Sequence, residues 1–83
     1  MITTKDFKNK LINTKQKEAV NLVENKLTEL LNETFVTDEI YFTIEYCQNV
    51  YMDEITTELD KRGFTNIHFK YTDDAIIVCF KIN

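Results

Sequence analysis

The sequence predicts an α+β fold: a helical amino-terminal part, then strand, helix, strand and strand. The three strands make one antiparallel sheet in the spatial order first, third, second, with the helices on one face. Three observations predict it. Apolar residues from Ala19 to Leu31 recur at steps of three and four, residues 40–47 alternate with period two, and residues 65–82 form two alternating runs around Thr72-Asp73-Asp74-Ala75.

The elements follow in order within one domain, 1–83. Residues 1–32 read as helical, with Thr3 or Thr4 as a cap and Asp6 as an early negative charge. Apolar side chains fall at Phe7, Leu11, Ile12, Ala19, Val20, Val23, Leu27, Leu30 and Leu31, while the polar run Asn13–Lys17 interrupts the stripe. Asn13 with Gln16 resembles a second cap, so a short helix to about residue 13 and a longer one over 15–32 are expected. One unbroken helix, roughly 40 Å long, would overshoot a three-stranded sheet and leave an overhang suited to dimerisation.

The first strand, 39–47, alternates Ile40, Phe42, Ile44 and Tyr46 against Tyr41, Thr43, Glu45 and Cys47. The helix 49–62 is expected to start at an Asn49 cap, to bury Tyr51 or Met52, Ile55 and Leu59, and to end at Gly63 in the left-handed conformation. Phe64 and Leu59 then supply the apolar contact of a Schellman stop. In the hairpin 65–82, a two-residue Asp73-Asp74 turn pairs Tyr71 with Ile76, Phe69 with Val78 and Ile67 with Phe80. The last strand is apolar on both faces and therefore belongs in the centre.

Composition narrows the function classes. The net charge of −4 is unevenly distributed. Residues 1–26 carry six lysines against Asp6, Glu18 and Glu24, a net +3, whereas residues 27–62 carry nine acids against Lys61 and Arg62, a net −7. An acidic middle disfavours binding to a phosphate backbone. The basic amino-terminal helix, with Lys5, Lys8, Lys10, Lys15 and Lys17, is the one feature that a nucleic-acid-binding module would use. There is no apolar run near the ~20 residues that a membrane span needs. Two distant cysteines without a secretory signal point to reduced thiols and a cytoplasmic location.

Chemistry finds little to work with. A single glycine excludes a phosphate-cradling loop or a dinucleotide fingerprint. The hairpin register sets His68 opposite Cys79, but no second ligand stands at metal-binding spacing, and no third group or oxyanion donor supports a Cys–His dyad. No catalytic residue, metal ligand or cofactor site is therefore assigned, and the chain is expected not to be an enzyme. In size, in a composition that follows AT-rich codons, and in its lack of catalytic apparatus, it looks like the small accessory proteins of bacteriophages and mobile elements. No motif carries that likeness.

The expected function is protein–protein interaction in the cytoplasm, of the host if the chain is phage-encoded, with a host protein as partner. The expected surface combines the open sheet face (Tyr41, Thr43, Glu45, Ile77 and Cys79) with the acidic helix (Asp53, Glu54 and Glu58). The alternatives are a self-assembling, virion-type homo-oligomer, in the simplest case a homodimer, and the nucleic-acid-binding module.

Overall fold

The computed structural model describes residues 1–82. Its elements are helix α1 (Thr4–Leu31), strand β1 (Glu39–Ile44), a 3₁₀ helix (Tyr46–Tyr51), helix α2 (Met52–Lys61) and strands β2 (Thr65–Tyr71) and β3 (Ile76–Lys81). The strands form one antiparallel sheet in the order β1-β3-β2. This is the predicted α+β architecture, with both helices on one face.

β3 is central because it is apolar on both faces. Ile76, Val78 and Phe80 are fully buried beneath the helices, and Phe42 on β1 and Phe69 on β2 stand beside Val78 in register. Ile55 and Leu59 of α2 and Ala19 and Val23 of α1 close the core from the helical side. Phe80 is its hub: Phe64 and Phe42 meet it edge-on, with ring centroids at 4.8 and 5.7 Å. Such pairs add about 0.5–1.5 kcal/mol each beyond area burial.

The stop of α2 follows the Schellman pattern. Gly63 has φ +92°, its N–H donates to the Asp60 carbonyl, and the Phe64 N–H donates to the Leu59 carbonyl at 3.2 Å. That reversal delivers Phe64 onto Phe80. The hairpin turn also forms as expected: the Thr72 N–H donates to the Ala75 carbonyl, and the Ala75 N–H donates to the Thr72 hydroxyl.

Four local expectations change. α1 is one helix, not two. Asn13–Lys17 contains no glycine or proline, and polar residues there cost only a few tenths of a kcal/mol each in propensity, too little to break a helix. Strand β1 ends at Ile44 rather than at residue 47. Its partner β3 starts at Ile76, immediately after the turn, so residues 45–47 have no ladder to join and coil into the 3₁₀ helix. The N-cap position of α2 is Tyr51, not Asn49, because Asn49 lies inside that 3₁₀ segment. Finally, Ile67 does not pair simply with Phe80. Asn66, at φ 53°, creates a bulge, so the register steps from His68↔Cys79 to Thr65↔Lys81.

Two stability measurements check this account. Gly63→Ala should lower stability by about 1–2 kcal/mol in urea denaturation, all of it backbone strain, since an added Cβ would meet nothing within 4 Å. Phe80→Ala should cost about 3–5 kcal/mol, whereas truncating the exposed Phe35 should stay within about 0.5 kcal/mol.

Candidate functional site

The face of the sheet opposite the helices carries no other element among the described residues. The ladder arranges its side chains in rows. Tyr41, Cys79 and His68 form one row, Thr43, Ile77 and Lys70 the next, and Glu39, Lys81 and Thr65 the third. Tyr41 is 61% exposed, Ile77 is half-buried, and Cys79 is only 5% exposed although no helix covers it. Tyr41 and His68 flank it in register on either side.

Four of the sequence-assigned interface residues therefore share one surface: Tyr41, Thr43, Ile77 and Cys79. Glu45 lies one residue past the ladder, its backbone still extended, and lines a small cavity with Thr43. It stands at the start of the 3₁₀ helix, where its N–H donates to the Gln48 side-chain oxygen at 2.8 Å. Cys47, expected on the same face, also leaves the strand and is exposed. Asp53, Glu54 and Glu58 belong to α2, on the far side of the sheet, so the open face and the acidic helix do not make one continuous surface.

The acidic residues instead form one wall of a groove of about 630 Å³ between α2 and α1, with Asn13, Gln16, Lys17 and Val20 opposite. Arg62 ties the two helices together. Its Nε donates to Glu58 at 2.8 Å, and its Nη1 donates to Glu24 of α1. The pairing with Glu24 and then Glu58 raises the Arg62 pKa, so the guanidinium stays charged. Glu58 is thus already engaged, whereas Asp53 is exposed. Sequence reasoning missed this clamp because its partners lie 38 residues apart.

The groups with chemical potential are dispersed. The His68 Nδ1–H donates to the Asn66 carbonyl at 2.9 Å, which fixes the ring through the β-bulge. The Cys47 thiol donates to the Glu45 carboxylate at 3.4 Å. That hydrogen bond, with minor help from desolvation and the carboxylate charge, raises the thiol pKa and disfavours the nucleophilic thiolate. Among the described residues, no three His, Cys, Asp or Glu side chains form a group that would hold a metal ion. Among the described residues, no helix is long and apolar enough to cross a membrane. Comparisons with protein-family models, curated proteins and solved structures give no match.

The two thiols should behave differently toward iodoacetamide. In the native protein Cys47 should be alkylated and Cys79 protected until denaturant is added. Glu45→Gln removes the acceptor charge, so it should lower the Cys47 pKa and shift the alkylation-rate profile toward lower pH, as read by mass spectrometry across a pH series.

Proposed function

We propose that the chain is a non-catalytic interaction protein, of the kind that phages and mobile elements encode, and that it binds a host protein through the bare face of the sheet. One observation carries this reading: exposed Tyr41 and half-buried Ile77, with Cys79 recessed between them, form an apolar centre within a rim of Thr43, Lys70, Lys81 and Glu39. An apolar centre inside a polar rim is how protein interfaces are built, and tyrosine is among the residues that most often dominate their energetics. The one thiol on this face, Cys79, is recessed, which agrees with a surface that acts by contact rather than by reaction. Asp53 and Glu54 act at longer range, adding to the negative field that draws in a basic partner.

Capture from a bacterial lysate tests the assignment. Wild type should retain one partner, and Ile77→Lys, shown by circular dichroism to be folded, should lose it. Asp53→Lys/Glu54→Lys should slow association, with a smaller effect on dissociation. Equal capture by wild type and Ile77→Lys would exclude the sheet face as the interface.

A further inference from the structure

We infer that the free edge of β1 pairs with itself: its occupant is the β1 edge of a second copy of this chain, antiparallel about a two-fold axis at Phe42. The edge is separate from the bare sheet face, and the pairing does not rest on the function proposed above.

The ladder fixes which main-chain groups reach that edge. The Ile82 N–H donates to the Asp38 carbonyl at 2.8 Å, so Asp38 and Ile82 are a hydrogen-bonded pair. Such pairs alternate along antiparallel strands. Ile40, Phe42 and Ile44 therefore bond to Phe80, Val78 and Ile76, and Glu39, Tyr41 and Thr43 turn their N–H and C=O groups outward. All three residues are exposed.

The two ends of the edge are closed from within the chain. The Thr37 hydroxyl donates to the Glu39 carbonyl at 3.0 Å, and the Glu45 N–H donates to the Gln48 side-chain oxygen at 2.8 Å. Between these caps, the N–H and C=O groups of Tyr41 and Thr43 have no hydrogen-bond partner among the described residues. The opposite edge of the sheet is blunted differently: β2 carries the Asn66 bulge, which bends a strand away from further pairing. β1 has no bulge, proline or lysine. A regular edge without such devices is a template for another strand.

The open window selects its occupant. Tyr41 and Thr43 each offer one donor and one acceptor, and an identical window running the other way returns the same groups in order. Tyr41 then exchanges both bonds with the partner's Thr43, and Thr43 with the partner's Tyr41, which uses every free group in the two windows. Either neighbouring register would call on a group already taken, the Glu39 carbonyl or the Glu45 N–H. Side chains agree with the Phe42 axis. On the helical side Phe42 meets the partner's Phe42, and Ile40 meets the partner's Ile44. On the open side Tyr41 stands beside the partner's Thr43, an aromatic against a β-branched residue. Glu39 opposite the partner's Glu45 is the one adverse pair, and it confines the ladder to the window. One chain thus supplies both halves of an isologous contact.

Hydrogen exchange of the full wild-type chain, read by residue across a dilution series, tests this without any substitution. At high micromolar concentration the Tyr41 and Thr43 amides should be protected. Dilution should expose both, while the Phe42 amide, bonded to Val78, stays protected. Sedimentation should report a dimer over the same range. Thr43→Pro deletes an outward N–H and spares the β1–β3 ladder, so it should weaken the dimer by roughly tenfold or more and leave the circular dichroism spectrum intact. Glu39→Gln should tighten the dimer, and a weaker one overturns the register. Ile77→Lys should leave it unchanged, so failure of this pairing and failure of the sheet-face interface are separately visible. A chain that stays monomeric, or a dimer whose Tyr41 and Thr43 amides exchange fast, overturns the proposal. So does protection that appears only when a host protein is added, because the edge would then take a strand from another chain.

Discussion

The strict side-chain parity of β3 holds this molecule together. Ile76, Val78 and Phe80 point to one side and are fully withdrawn from water, and every other element is arranged to cover them. β1 and β2 flank the strand so that its backbone is paired on both edges. α2 lays Ile55 and Leu59 on the same side, and α1 adds Ala19 and Val23. In a chain this small the buried fraction is low, so a core centred on one strand has little redundancy. The edge-on packing of Phe42 and Phe64 around Phe80 locks the strand to both its sheet neighbour and the α2 stop.

That same parity makes the opposite face available. Because Ile77 and Cys79 alternate with the core residues, the strand that builds the interior also places apolar atoms on the uncovered side. The Cys79 thiol sits recessed between Tyr41 and His68 in register, and the Asn66 carbonyl at the bulge accepts a hydrogen bond from the His68 ring. Interior and candidate interface are two readings of a single strand. The helical layer divides its work similarly. The carboxyl-terminal part of α1 packs on the body and is clamped to α2 by Glu24, Arg62 and Glu58, while its amino-terminal turns project free.

Much of the fold was legible from residue types alone. The Gly63 stop, the Thr72–Ala75 turn, the 1-3-2 order and the pairing of Phe69 with Val78 all follow from local chemistry and period-two alternation, which demand no knowledge of distant residues. The open face was legible for Tyr41, Thr43, Ile77 and Cys79 for the same reason. It failed for Cys47, where alternation runs on in the sequence past the last available partner strand. A strand ends where its neighbour ends, and the hairpin turn on the far side of the sheet sets that limit.

The sequence by itself determined the strand order and which way β3 faces, because an apolar run on both faces with backbone pairing on both edges fits only the centre of the sheet. Only the tertiary structure decided the rest. It made α1 continuous across Asn13–Lys17, since those polar residues meet solvent rather than core. It put the acidic residues of α2 on the side away from the open face, because the helix that buries Ile55 and Leu59 must turn Asp53 and Glu54 away from the sheet. It also left Phe7, Leu11 and Ile12 beyond the reach of a sheet only three strands wide, a mismatch of lengths that residue patterning does not encode.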